Sequence, residues 1–319
     1  MDSLTKAKYL SGLLRREIIP LVEGDYVLYG LPYYSNIGDT LIWEGERSLL
    51  RDSAFKCKGV CGWNDYPGRR LKDDTVMLVQ GGGYFGDVWR NAWENVLREI
   101  SLNKERRIII LPVSVWYDDS GLLENDKRLL SSAKDLVICV RDRQSFDFAS
   151  KHFDNDIRLV PDAAFGIAPE ALEKWRLPEE KECLYLKRND KEFIASDARI
   201  PDDAVVSDWP TFTDISLPEK LVKRIESSYK RHRNTPVLAP ALRAATDCAF
   251  LSVYRKQMIS RGVGFISQYR TVYTTRLHGL ILAALLGKQA YCLDNSYGKV
   301  GSFYETWLSD ADNIIAAYE

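Results

Sequence analysis

The sequence of 319 residues lacks the features that mark several large classes of protein. No apolar run approaches the roughly 18 residues that span a membrane, and the N-terminal residues contain no apolar region typical of a signal peptide. Neither sign of charge dominates, because 44 lysines and arginines stand against 45 aspartates and glutamates. General nucleic-acid binding is therefore not expected, and we expect a cytosolic protein with reduced thiols.

Histidine and cysteine are scarce, with three and six residues in the chain. Four cysteines in or beside apolar runs are interpreted as small core residues: Cys139, Cys183, Cys248 and Cys292. The close pair Cys57 and Cys61 has no histidine nearby, so we do not expect a zinc site there. The P-loop and HExxH motifs are missing, no nucleotide-sugar DxD signal stands out, and dinucleotide binding is not expected. No cofactor is expected, and a metal requirement stays open.

Short apolar runs typical of strands alternate with stretches of helical periodicity. The predicted strands cover residues 26–30, 75–80, 107–114, 135–140, 183–186, 204–206, 236–239, 264–266, 272–274 and 290–293, and a further strand ends at 161–162. Helices are predicted over residues 3–22 and 219–233, and from Asp39, Asp87 and Ser145 onward. The alternation predicts an α/β fold in which helices cover both faces of parallel sheets.

A polar, proline-containing stretch between Ile167 and Glu182 is the best candidate for a domain boundary. We therefore predict two Rossmann-like lobes, residues 1–170 and 171–319, with the last helix packing back on the N-terminal lobe. Ligands of parallel sheets lie outside the carboxyl ends of the strands. The active site is accordingly expected in the cleft between the lobes.

The most informative stretch is the turn Thr275-Arg276-Leu277-His278-Gly279, which joins a predicted strand to a short apolar helix. Helix N-termini attract anions through the helix dipole and unpaired N–H groups. Arg276 is predicted to hold a phosphate or carboxylate in bidentate fashion, and His278 to act as a general acid or base. The alternative is a histidine that caps the helix beside an arginine paired with a core carboxylate.

Glycines and helix-opening carboxylates form a second group of candidates. The run Gly81-Gly82-Gly83-Tyr84 is predicted to be a turn that lets a ligand approach the backbone, or else a plain connector. Asp39 and Asp87 each follow a loop and are predicted to cap a helix. Either carboxylate can alternatively face the cleft and accept a proton from a sugar hydroxyl.

Further cations follow two other predicted strands. Lys187 and Arg188 directly follow the first predicted strand of the C-terminal lobe. They are predicted either to contact an anion or to belong to a run of solvated charges. Lys299 lies in a later strand exit with Asn295 and Ser296, which offer hydrogen bonds. Because these exits belong to one lobe, Lys299 is expected to share the crevice of the Arg276 turn.

Together these residues resemble the polysaccharide pyruvyl transferase family. The matching motifs are Asn36-Ile37-Gly38-Asp39, the glycine-rich run from Gly81 to Trp89, Val160-Pro161-Asp162, Thr275-Arg276-Leu277-His278-Gly279, and the closing segment from Gly287 to Trp307. They occur in order over most of the chain. One departure is Val113, where the family pattern leads us to expect glutamine.

The resemblance implies a fold similar to the two-lobed GT-B glycosyltransferases. It also implies transfer of pyruvate from phosphoenolpyruvate, as a co-substrate, onto two sugar hydroxyls as a cyclic ketal. On that basis His278 is the general acid, and Asp39 or Asp87 orients or deprotonates the acceptor. The implied donor side consists of Arg276, Leu277, His278, Arg188, Lys299, Asn295 and Ser296 in the C-terminal lobe. The implied acceptor side consists of Asn36, Gly38, Gly81, Gly82, Gly83 and Tyr84 in the N-terminal lobe.

Two other functions fit the same pattern. One is a nucleotide-sugar-dependent glycosyltransferase on the same scaffold, since fold does not fix chemistry. The other is a non-catalytic sugar-binding protein, which has little need of a cationic turn. The acceptor implied by the family is a finished polysaccharide or a lipid-linked precursor, and the latter would bring the protein to the inner face of the membrane. Oligomeric state and ketal stereochemistry stay open.

Overall fold

The computed structural model describes residues 1–62, 74–192 and 199–318. Strands and helices alternate along these ranges, and every strand pair described is parallel. The predicted α/β fold with parallel sheets is therefore confirmed. Within the same ranges, no helix combines the length and apolar character needed to cross a membrane.

The first sheet is built from the strands β1 (Tyr26–Leu31), β2 (Cys57–Gly62), β3 (Val76–Val79), β4 (Gly82–Gly86), β5 (Arg107–Trp116), β6 (Asp135–Val140) and β7 (Asp156–Leu159). Their order is β2-β1-β3-β5-β6-β7, with β4 also paired to β5. After β2 the chain returns past β1 to place β3 on its other side. The direction of winding therefore reverses between β1 and β3.

The second sheet contains β8 (Lys181–Leu186), β9 (Val205–Ser207), β10 (Tyr269–Thr274), β11 (Gln289–Cys292) and β12 (Ile314–Ala316). Their order is β12-β11-β10-β8-β9, so winding reverses between β8 and β10. The first sheet ends before residue 170 and the second begins after it. The exact boundary between residues 170 and 171 stays a prediction.

The helices are α1 (Ser3–Ile18), α2 (Ile37–Leu50), α3 (Arg90–Leu102), α4 (Ser120–Ser131), α5 (Arg143–His152), α6 (Leu217–His232), α7 (Leu238–Ala249), α8 (Arg255–Ser267), α9 (Leu277–Leu285) and α10 (Lys299–Trp307). One continuous apolar core joins α1, α2, α8 and α9 to residues of both sheets. A second core packs β5 and β6 against α3. Helix α10 reaches the first sheet through Trp307, whose Nε1 donates a hydrogen bond to the carbonyl of Arg141 at 2.8 Å.

Helix α2 makes an unusually close backbone contact with residues 163–166. A Cβ on Gly45 would lie 1.8 Å from the carbonyl oxygen of Ala163, and one on Gly166 would lie 2.4 Å from the carbonyl oxygen of Gly45. Only glycine permits this approach. The contact fixes the segment that directly follows Asp162, and thereby the position of that carboxylate.

Two predicted strands are helical. Residues 236–239 run into α7, and residues 264–266 belong to α8. Short apolar runs do not distinguish a strand from part of a buried helix. In α8 the glycines serve packing, since a Cβ on Gly262 would lie 2.5 Å from Cγ2 of Ile37 on α2.

The predicted helix starts need correction. Asn36, not Asp39, caps α2, and its side chain accepts the N–H of Gly38 at 2.9 Å. Helix α3 begins at Arg90, after Trp89, so Asp87 caps no helix. The predicted glycine turn instead leads into β4.

The cysteines also differ in part from the prediction. Cys248 on α7 is exposed, whereas Cys139, Cys183 and Cys292 are buried as predicted. Because α7 packs only one narrow face against its neighbours, the apolar sequence around Cys248 does not imply burial.

Candidate active site

A pocket of about 480 Å³ is lined by residues that follow strands of both sheets, among them β1, β3, β8 and β10. Two of these strands, β1 and β3, flank the winding reversal of the first sheet, and β8 and β10 flank that of the second. Ligands of open parallel sheets bind at such reversals. The pocket therefore lies beside the winding reversals of both sheets, and the predicted active site in a cleft between two lobes stays a prediction.

His278 lies in the first turn of α9, and its side chain is 11% exposed. Its Nε2 lies 3.4 Å from Oδ2 of Asp162 and has no hydrogen-bond partner among the described residues. The imidazole also lies against the backbone of α2, because a Cβ on Gly38 would come within 2.7 Å of Nδ1. A buried imidazole beside a carboxylate at the edge of a pocket is a candidate for proton transfer.

Asp162 is fully buried and lies beside Arg141 and His278. Arg141 Nη1 donates to its Oδ2 at 2.8 Å, and the N–H of Ala164 donates to Oδ1 at 2.8 Å. Burial alone would raise the pKa of Asp162, but the charges of His278 and Arg141 and these hydrogen bonds lower the pKa below its ordinary value. Asp162 is therefore an ionised carboxylate beside His278.

Arg276 caps α9 and is held by two carboxylates. Its Nε and Nη2 form a bidentate pair with Asp208, with 2.6 Å between Nη2 and Oδ2, and Nη2 also lies 3.3 Å from Asp190. The ring of Phe212 lies 5.2 Å from the guanidinium carbon. No described residue accepts a hydrogen bond from Nη1 of Arg276, so this edge remains available to an anion.

Glu192 lies at the centre of a second ionic cluster, called here the Glu192 cluster, which also contains Arg188 and Lys299. It pairs with Nζ of Lys299 and lies 2.7 Å from Nη1 of Arg188, while Trp89 Nε1 donates to it at 3.0 Å and the Tyr297 hydroxyl at 2.9 Å. Burial would raise the pKa of Glu192, but Lys299 and Arg188 lower it below its ordinary value. Burial lowers the pKa of Lys299 to about 8, against the opposing effect of Glu192.

The glycine-rich run brings backbone close to these cations. A Cβ on Gly83 would lie 3.2 Å from Nζ of Lys299 and 3.3 Å from Nη2 of Arg141. The N–H of Gly81 donates to the fully buried Glu46 at 2.8 Å. Burial raises the pKa of Glu46 well above its ordinary value, and the negative charge of Asp162 adds to the rise. Glu46 is thus a neutral support for the loop.

Asp39 lies in the first turn of α2, directly after Gly38, and lines the same pocket. Its Oδ2 accepts hydrogen bonds from the Tyr34 hydroxyl and from Asn36 Nδ2, each at 2.8 Å. Tyr34, Trp89 and Phe212 are exposed aromatic side chains that line the same pocket. A carboxylate bordered by amides and aromatic rings suits a sugar with several hydroxyls.

A model of the polysaccharide pyruvyl transferase family matches residues 36–297. The chain belongs to this family. Membership supports transfer of a pyruvyl group in polysaccharide synthesis, and the matched range includes every residue that lines the pocket except Tyr34 and Lys299.

The alignments with two relatives cover most of this chain. EpsO of Bacillus subtilis, named as a candidate pyruvyl transferase, is 28% identical over 308 residues, which is 94% of this chain and 89% of EpsO. Pyruvyl transferase 1 of Schizosaccharomyces pombe is 27% identical over 296 residues, which is 88% of this chain and 69% of its own. A crystal structure of an uncharacterized Klebsiella pneumoniae protein covers 97% of this chain and 99% of its own, with a TM-score of 0.67 and 17% identity. That likeness shows the fold alone.

Most of the predicted site residues of this family member come together in the pocket. Those that line it are Asn36, Gly38, Asp39, Gly81, Gly83, Tyr84, Arg188, Arg276, Leu277, His278 and Lys299. The roles of these residues stay predictions.

Four predicted site residues do not line the pocket: Gly82, Asp87, Asn295 and Ser296. Asp87 Oδ2 instead accepts the N–H groups of Asp118 and Asp119, at 2.7 and 2.8 Å. Asn295 contacts the Glu192 cluster, because its Nδ2 donates to Glu192 at 3.1 Å and its Oδ1 accepts the N–H of Lys299 at 3.0 Å. Val113, where glutamine was expected, is fully buried in β5.

Several residues of the site had not been predicted: Gln80, Trp89, Arg141, Asp162, Asp190, Glu192, Asp208 and Trp209. Most follow the carboxyl end of a strand, as Gln80 follows β3 and Arg141 follows β6. A systematic search of polar residues at strand exits would have found them. The pairing of Asp162 with His278 has no local sequence signal.

Proposed function

We propose that this protein transfers the pyruvyl group of phosphoenolpyruvate onto two hydroxyls of a sugar, giving a cyclic ketal and inorganic phosphate. The observation that carries the proposal is the composition of one pocket. It combines His278, whose Nε2 lies 3.4 Å from the carboxylate of Asp162, with four cations, namely Arg141, Arg188, Arg276 and Lys299. A donor with both a phosphate and a carboxylate needs several cations, and protonation of the methylene carbon of an enol phosphate needs a general acid.

In the proposed reaction, His278 supplies the proton that the methylene carbon of the donor accepts. The positive charge that develops at the neighbouring carbon is attacked by the first sugar hydroxyl. The bond from this carbon to the phosphate oxygen then breaks, and the second hydroxyl closes the ketal. The two sugar hydroxyls each lose a proton. One of these protons replaces the proton that was transferred to the methylene carbon, and the other leaves with phosphate.

The donor is proposed to bind through the guanidinium edges that the carboxylates leave open. Arg276 Nη1 and Arg141 Nη2 have no hydrogen-bond acceptor among the described residues, and both side chains line the pocket. Arg188 and Lys299, which both pair with Glu192, are proposed to stabilise the negative charge of the bound donor. Asp162, held ionised between Arg141 and His278, keeps the imidazole in place.

The acceptor is proposed to lie on the Asp39 side, where Asp39 orients or deprotonates the attacking hydroxyl. The two sheets are proposed to form two lobes similar to those of GT-B glycosyltransferases, with the pocket in the cleft between them. The acceptor is a polysaccharide or its lipid-linked precursor.

The test is release of phosphate from phosphoenolpyruvate with a panel of glycans, together with the mass gain of a pyruvyl ketal on the glycan. His278→Gln should abolish both while the protein stays folded. His232→Gln is the matched control, because His232 lies at the end of α6 outside the pocket. Stabilisation by a nucleoside diphosphate but not by phosphoenolpyruvate would contradict the proposal and favour nucleotide-sugar transfer.

A further inference from the structure

We infer that the outer face of α6, together with the segment before it, docks on an anionic lipid surface beside the pocket. This surface, called here the α6 face, comprises Phe212, Ile215, Leu217, Lys220, Leu221 and Arg224. Its residues expose apolar side chains and positive charge side by side. That combination is typical of helices that lie in a membrane interface.

The apolar part of the α6 face is strongly exposed. Leu217 is 69% and Leu221 49% accessible, and Ile215 and Phe212 just before the helix are 46% and 45% accessible. Single exposed apolar residues are ordinary, but four large ones within ten residues mark a contact surface.

The helical part of the α6 face is positively charged, whereas the segment before the helix contains the exposed Asp214, which pairs with Arg261. The side of α6 opposite the buried residues Val222 and Tyr229 presents Lys220 and Arg224 next to the two leucines. The two acids of α6, Glu219 and Glu226, are buried. From residue 217 to 243 the chain holds seven lysines and arginines against two acids, in a protein whose net charge is −1. This local excess complements anionic headgroups.

The backbone that carries the exposed side chains of the α6 face is held in place by hydrogen bonds and ion pairs. Arg261 on α8 binds the carbonyl and carboxylate of Asp214 at 2.8 and 3.1 Å, and Glu219 at 2.7 Å. Ser216 and Glu219 complete a capping box at the start of α6. The apolar side chains are therefore held in solvent by a fixed backbone rather than left there by disorder.

A second copy of the chain would fit the α6 face less well than an anionic lipid surface does. A two-fold interface would bring the α6 face against itself and oppose Lys220 and Arg224 to their own copies. A lipid surface removes the leucines from water and neutralises both cations.

The α6 face adjoins the mouth of the pocket, because Phe212 belongs to both. Docking there would hold the pocket at the membrane, within reach of a glycan attached to a lipid. This link to a lipid-linked acceptor rests on the proposed function, whereas the docking itself does not.

The test is flotation of the full chain with vesicles of phosphatidylcholine that contain phosphatidylglycerol, compared with vesicles of phosphatidylcholine alone. The double variants Leu217→Ser/Leu221→Ser and Lys220→Glu/Arg224→Glu should each weaken binding to the anionic vesicles roughly tenfold or more. The matched control Lys104→Glu/Lys134→Glu reverses two exposed charges at the amino ends of β5 and β6 and should bind like the unmodified protein.

Absence of binding to anionic vesicles would overturn the inference, as would an equal loss in the Lys104/Lys134 control. A dimer that Leu217→Ser/Leu221→Ser converts to monomer would assign the face to self-association instead. Thermal stabilisation by phosphoenolpyruvate is measured in parallel and should persist in the α6 variants. If the unmodified protein binds vesicles but not phosphoenolpyruvate, the proposed function fails while the docking surface stands.

Discussion

Nε2 of His278 lies 3.4 Å from Oδ2 of Asp162, a buried carboxylate that also holds Arg141. The two residues come from different sheets, since Asp162 follows β7 and His278 follows β10. The proposed proton donor is thus positioned by the first sheet, although it belongs to a helix of the second. Any change in Asp162 should therefore affect both the proton donor and one of the anion-binding cations.

Asp162→Asn keeps the shape of the side chain but removes its charge. We expect turnover to fall at least tenfold, because the imidazole loses its charged partner. Removing one member of a buried ion pair should also cost about 3 kcal/mol of unfolding free energy, because Arg141 is left without its counter-charge. Turnover is measured well below the melting temperature of the variant. Unchanged turnover in folded Asp162→Asn would show that His278 acts without this carboxylate.

Gly38→Ala tests whether the imidazole position matters. The added Cβ would lie 2.7 Å from Nδ1 of His278 and must displace the ring. A displacement near 1 Å at a reacting group can lower turnover about 100-fold. Gly12→Ala is the control, since a Cβ there meets nothing within 4 Å and should stabilise α1 by about 0.5–1 kcal/mol. Equal activity of both variants would contradict the proposed placement of the proton donor.

The two candidate acceptor-side carboxylates are separable by mutation. Asp39 lines the pocket, whereas Asp87 binds the backbone N–H groups of Asp118 and Asp119. Asp39→Asn should lower turnover about 100-fold or more if its carboxylate serves as the base. Asp87→Asn should instead lower the unfolding free energy by about 1 kcal/mol and leave turnover near that of the unmodified protein. The reverse pattern would move the acceptor away from Asp39.

The sequence was sufficient to predict the parallel sheets and most residues of the pocket. Arg276, Arg188 and Lys299 were found because each follows a strand, and carboxyl ends of parallel strands lie at one edge of a sheet. The family motifs placed Asn36, Gly38 and Asp39 with them. Their individual functions stay predictions, since position alone does not assign a role.

The partners of these cations could not be predicted in the same way. Asp208 pairs with Arg276 and Glu192 with Lys299 across long stretches of chain, so no local spacing indicates either pair. The helix at residues 264–266 was also missed; there α8 packs closely on distant parts of the chain, through Gly264 on Leu177 and through the preceding Gly262 on Ile37 of α2. Contacts between distant elements decide both the ionic network and that helix.

Lys299 gives the site a predicted dependence on pH. Burial lowers its pKa from the ordinary 10.5 to about 8, so in the folded protein the ammonium loses its proton above that pH. From pH about 8 to 10.5 the unfolded chain still holds this proton, and the contribution of Lys299 to unfolding free energy therefore rises with pH. Anion binding, in contrast, should weaken as the pH rises. The KM for phosphoenolpyruvate should increase as pH passes about 8, because a neutral amine no longer attracts phosphate.

Lys299→Arg separates this effect from other titrations. The guanidinium keeps its charge over the whole range, so the rise in KM above pH 8 should disappear even if binding is weaker overall. KM is measured by phosphate release across that pH range for both proteins, with unfolding followed in the same buffers. If the arginine variant retains the same rise in KM, another group controls it, and Lys299 does not carry the charge that holds the donor.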